Sequence, residues 1–117
     1  MATTFQAVPL SGSTNGRPIP IAATATPGTL LHVASASSLD EVYLYAANIT
    51  AAAVTLTIQF GGVTTGDNLV VTSIPANSSP VQLAFGQRLT GGVEVRAFAA
   101  TAGAINMTGV VNRITQN

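Results

Sequence analysis

His32 is the only imidazole in the chain, within Leu30-Leu31-His32-Val33-Ala34, and there is no cysteine. A nucleophilic hydrolase would pair His32 with Asp40 and a serine such as Ser35 or Ser37. The sequence has no G-x-S-x-G elbow and no glycine-rich oxyanion segment beside those serines, so the nucleophile lacks its setting. An imidazole alternating with apolar neighbours instead predicts a solvent-facing strand residue. Asp40-Glu41 is the one adjacent acidic pair, and paired carboxylates could serve glycoside hydrolysis. Sugar-cleaving sites also offer aromatic platforms, and the chain has no tryptophan. The pair is expected to open a strand after the 35–38 loop. Glu94 and Arg96, two residues apart, predict an ion pair on one strand face. The segment Gly61-Gly62-Val63-Thr64-Thr65-Gly66-Asp67-Asn68 has oxygen ligands but not the acidic repeat of a calcium loop, and predicts a hairpin loop. No catalytic residue, metal ligand or cofactor is expected.

The elements that carry these residues announce themselves by a period of two. Val42, Leu44 and Ala46 alternate with Tyr43, Tyr45 and Ala47, and Val54, Leu56, Ile58 and Phe60 with Thr55, Thr57 and Gln59. Val81, Leu83 and Phe85 alternate with Gln82 and Ala84, and Val93, Val95 and Ala97 with Glu94, Arg96 and Phe98. Such alternation predicts strands with one buried face. Leu30 to Ala34, Leu69 to Ser73 and Ala104 to Ile114 complete seven candidates, with a bulge or close backbone approach expected at Gly109. Turn signals at Gly61-Gly62, Gly66-Asp67-Asn68, the 75–80 segment, Gly91-Gly92 and Gly103 separate them. The fold class is all-β: an antiparallel β-sandwich of seven to eight strands, jelly-roll or immunoglobulin-like.

Residues 1–28 differ from the domain expected over 29–117. They hold Pro9, Pro18, Pro20 and Pro27, and each proline pushes its predecessor toward extended geometry. They predict an extended N-terminal arm, mobile up to Gly16, of which Met1–Ile21 can be removed without unfolding the domain. Arg17, Pro18, Ile19, Pro20 and Ile21 are its candidate contact residues, since an extended segment can add to a neighbour's sheet edge.

Composition narrows the function further. Of 117 residues 47% are hydrophobic but only 7% are charged, with four basic and four acidic groups and no net charge. No basic field exists to neutralise phosphates, so no nucleic-acid partner is expected. The apolar runs are too short to cross a bilayer, so no membrane is expected. A surface this poor in charge suits contact with other protein. Tyr43 and Tyr45, opposite the Val42/Leu44 face, and Phe98 are the candidate sheet-face contacts, because tyrosine is enriched at interfaces.

Residues 40–114 resemble small virion structural proteins of tailed bacteriophages. The resemblance rests on Glu41-Val42-Tyr43-Leu44-Tyr45-Ala46-Ala47-Asn48, Val54-Thr55-Leu56-Thr57-Ile58-Gln59-Phe60-Gly61-Gly62 and Ile74-Pro75-Ala76-Asn77-Ser78. It continues through Val93-Glu94-Val95-Arg96-Ala97-Phe98-Ala99 and Ile105-Asn106-Met107-Thr108-Gly109-Val110-Val111-Asn112-Arg113-Ile114. It implies a non-enzymatic head decoration, or cement, protein on the capsid exterior. Its partners would be the major capsid protein of a phage head and further copies of itself, as a trimer or less often a dimer. The alternative is a tail or fibre component that acts as a host-glycan-binding module.

Overall fold

The computed structural model describes residues 2–116. It contains nine strands: β1 (Thr3–Pro9), β2 (Ile19–Pro20), β3 (Thr29–Val33), β4 (Leu39–Asn48), β5 (Val54–Phe60), β6 (Asn68–Ile74), β7 (Val81–Leu89), β8 (Glu94–Ala99) and β9 (Ile105–Gln116). A short 3-10 turn, Thr65–Asp67, joins β5 to β6. One sheet runs β1-β9-β4-β7, with β2 added on β9, and the other runs β3-β8-β5-β6. All strand pairs are antiparallel.

The pairing is nested. β5 pairs with β6, β4 with β7, β3 with β8 and β1 with β9. The chain therefore behaves as one long hairpin, with its tip between β5 and β6, wrapped so that successive pairs alternate between two sheets. That order is a jelly-roll, which separates it from the immunoglobulin-like alternative. All seven strands expected from the alternation are present. The expected sandwich holds, with β1 and β2 as additions.

Inward positions supply the core: Val42, Leu44 and Ala46 of β4, Leu56 and Ile58 of β5, Val95, Ala97 and Ala99 of β8, and Ile105, Met107 and Val111 of β9. Aliphatic and small side chains at every second position fill most of the ~10 Å gap between stacked sheets, with Phe60 packed at the margin. The close approach expected at Gly109 is present: a Cβ there would run into the Tyr43 carbonyl oxygen of β4. The β4–β9 register passes through Gly109 without a shift, so it is a contact and not a bulge.

The expectation of a separate arm is corrected. Thr3 to Pro9 pair in unbroken register with Gln116 to Val110. Leu10, Ile19 and Ile21 lie in the core, and the Ile21 amide donates to the Ile105 carbonyl oxygen. Prolines 18 and 20 lack the amide that a central strand must donate. The conflict is resolved at the rim: β2 pairs over only two residues, at the outer edge of β9, where a missing amide costs least. Of the five candidate arm residues, Ile19 and Ile21 turn inward and only Arg17, Pro18 and Pro20 face solvent.

Candidate interaction surfaces and a buried polar centre

His32 is not the solvent-facing residue that alternation predicts; it is wholly buried. The cause is a register shift between Leu30 and His32. Leu30 pairs with outward Arg96 and His32 with inward Val95, so Leu31 is the extra residue and both Leu31 and His32 point inward. A bulge resets the alternation of everything beyond it.

Inside, His32 Nε2 lies 2.8 Å from Asp40 Oδ2, while Nδ1 accepts the Ser11 amide at 3.0 Å. Nδ1 is thus an acceptor, and the ring hydrogen sits on Nε2 facing the carboxylate. Asp40 is also wholly buried. It accepts from Arg113 Nε at 2.8 Å, from Arg113 Nη2 at 3.0 Å and from the Ser35 amide at 3.0 Å. Burial pushes the Asp40 carboxyl up, but the bonds from Arg113, His32 and Ser35 outweigh it and hold the group at about 2. The residues weighed for a hydrolase do meet: His32, Asp40 and the backbone of Ser35 are in contact. The arrangement lacks the serine-to-imidazole bond of a hydrolase triad. Both imidazole nitrogens are already bonded, and Ser35 offers its amide to Asp40 and not its hydroxyl to His32. The centre ties the 10–12 segment, β3, β4 and β9 together.

The remaining charges are spent in the same way. Arg88 Nε meets Glu41 Oε2 at 3.0 Å and Arg96 Nε meets Glu94 Oε1 at 2.8 Å, the second being the ion pair expected from spacing. The Asn112 amide, then Arg88, hold the Glu41 carboxyl below its ordinary value. Asp67 accepts from the Thr64 amide and hydroxyl, which closes the 61–68 loop on itself. Among the described residues only Arg17 is an ionic side chain without a partner. No cluster of three or more metal-ligating side chains occurs among them.

Rows of apolar and aromatic side chains stand among the outward positions. Across the first sheet, Phe85, Tyr43, Val110 and Pro9 are register partners in one row, and Leu39, Ile114 and Phe5 form a second. Phe85 is 72% exposed and Phe5 65%. Between the rows lies the paired, self-neutralised Arg88–Glu41–Asn112 row. The Tyr43 ring lies against Gly86, which has a positive φ of 93° and whose missing side chain leaves the ring its space. Tyr45 is half-buried on the same face, beside Gln82 and Thr108.

Phe98 lies elsewhere. It points outward from the second sheet, in a row with Thr57 and Val71. The three candidate sheet-face residues therefore divide between opposite sides of the molecule. Thr57 and Gln59, outward by alternation, are nevertheless buried. Gln59 Nε2 donates to Thr64 O and Asn68 Oδ1, a fold-back of the loop that alternation alone does not signal. Two shallow clefts also lie on the surface. One of about 380 Å³ is lined by Ser37, Ser38, Leu39, Thr90 and Ile114 among others. One of about 300 Å³ lies around Ser13, Arg17 and Pro18. Neither cleft holds an acid, an imidazole or a thiol.

No protein-family model, curated protein or solved structure matches this chain.

Proposed function

We propose that this chain is a non-enzymatic virion structural protein: a capsid decoration, or cement, protein of a phage head. It sits on the capsid exterior between capsomers, binds the major capsid protein, and self-associates. The observation that carries the reading is the disposition of charge. Three of the four basic side chains are consumed by the chain's own acids, and the outer sheet faces present rows of Phe, Tyr, Val and Leu. Such a surface gains by contact with other protein and offers little to a phosphate or a charged metabolite. The jelly-roll is compatible with this role but does not assign it, since one fold serves many functions. The buried His32–Asp40–Arg113 centre fits a structural part, with both imidazole nitrogens and both Asp40 oxygens bonded.

Co-sedimentation with undecorated heads tests the reading. Saturable binding at a fixed number of copies per head is the expected result; no binding at saturating concentration contradicts it. The Tyr43–Phe85 pair favours a second reading, a tail or fibre module that stacks sugars on exposed rings. Retention on a glycan array, lost in Tyr43→Ala and Phe85→Ala variants, would support that reading instead.

A further inference from the structure

We infer that the free edge of β6 pairs with the β6 edge of a second copy of this chain, antiparallel about a two-fold axis. The inference deepens the self-association part of the reading above and rests on that part alone.

A sheet edge is a template for another strand, and proteins blunt edges with charge, proline, bulges or a covering segment. Three of the four edges here are managed or poorly placed. β3 is covered: Gly12 donates its amide to the Leu31 carbonyl oxygen at 2.9 Å, and Ser11 Oγ accepts the Val33 amide at 2.7 Å. β7 is interrupted by two register shifts against β4, by Gly86 at positive φ and by Arg88. β1 is exposed on both faces and ends in Pro9, so a strand added there closes over no core. β6 differs. Asn68-Leu69-Val70-Val71-Thr72-Ser73-Ile74 carries no charge and no proline, pairs with β5 on one side, and has no strand on the other. Its one irregularity, the shift at Leu69, lies at its start, and Val70–Ile74 is regular.

Both faces of β6 gain from an added strand. Inward, Val70 packs against the core but is only partly buried. Outward, Leu69 is 57% and Val71 63% exposed, and Val71 begins the row that continues through Thr57 to Phe98. A second β6 covers Val70 from the side and lengthens that apolar row.

Charge does not oppose a like partner. Antiparallel self-pairing brings no like charges together, because β6 has none and the nearest, Asp67, is held by Thr64. A two-fold axis presents the same patch from both copies. The contact is small: a strand ~24 Å long in a layer ~10 Å deep gives ~240 Å² per copy, against ~800 Å² per partner in a stable complex. The pairing is therefore weak and reversible in solution, and strengthens where copies are held side by side.

The chain's lack of cysteine gives a direct test. A residue on the axis opposes itself with Cα atoms ~4.5–5.5 Å apart, within the ~4.4–6.8 Å that a disulfide spans. Single variants Val71→Cys, Thr72→Cys and Ser73→Cys, mildly oxidised in the full chain, should include one that forms dimers at least ~10-fold faster than Val110→Cys on the other sheet. Wild-type protein should show concentration-dependent dimer by sedimentation up to about 1 mM, and Val71→Lys should remain monomeric with an unchanged circular dichroism spectrum. Uniform cross-linking across all four variants, or wild-type association that Val71→Lys leaves intact, overturns the inference. Should Val71→Lys misfold, the Thr72→Cys and Ser73→Cys rates decide. Self-pairing without head binding counts against the virion reading alone; head binding without self-pairing counts against β6 alone.

Discussion

Asp40 is where single side chains matter most. Its carboxylate is buried and satisfied by Arg113, His32 and the Ser35 amide, so an Asn there sets an NH2 donor against a donor and weakens the bonds that remain. Asp40→Asn is expected to cost about 3 kcal/mol, the range for breaking a buried pair, as a lower denaturation midpoint in urea. The pH dependence follows from the same contacts. The carboxyl ionises near 3.8 in the unfolded chain and at about 2 when folded. Its contribution is thus fully present above the unfolded value and is lost as pH falls from about 4 toward 2. Melting temperature should drop across that window in the wild type. It should drop less in Asp40→Asn, and by an intermediate amount in Glu41→Gln, whose carboxyl is also held low. A wild-type melting temperature flat from pH 4 to 2 would contradict this account of the centre.

At the scale of elements, the N-terminal residues divide into a dispensable and an indispensable part. β1 is exposed on both faces, and only Val8 packs against the core. Deleting residues 2–8 should leave a cooperative melt, whereas deleting residues 2–21 also removes Leu10, Ile19 and Ile21 from the core and should abolish it. This reverses what the prolines alone suggest, and two melting curves decide it. Gly109→Ala presses a methyl group on the Tyr43 carbonyl oxygen. It should destabilise by about 3 kcal/mol through separation of β4 and β9, again visible as a shifted urea midpoint. The seven long strands were legible because alternation records one buried face. β1 was not, since a strand exposed on both faces has no such pattern to show. The burial of His32 was hidden by the bulge at Leu31, because a period of two cannot register one inserted residue. The Asp40–Arg113 pair spans 73 positions, and nothing local in sequence announces it.

For the whole molecule, charge does its work internally and contact surface is left to apolar rows and open backbone. Association should therefore depend little on ionic strength, in contrast to a protein held by surface ion pairs. Raising salt tenfold from about 50 mM should change head affinity by less than about threefold. A steep fall would assign binding to Arg17 and the exposed parts of the ion pairs. The mainly aliphatic and Ala-rich core belongs to the same account, since a domain whose folded form binds partners draws stability from occupancy. Electron cryomicroscopy of undecorated heads incubated with excess protein tests that account most directly. Jelly-roll density at fixed sites between capsomers, with one of the apolar outer faces or the β6 edge turned to its neighbours, is the result it predicts. Bare heads at saturating protein would contradict it.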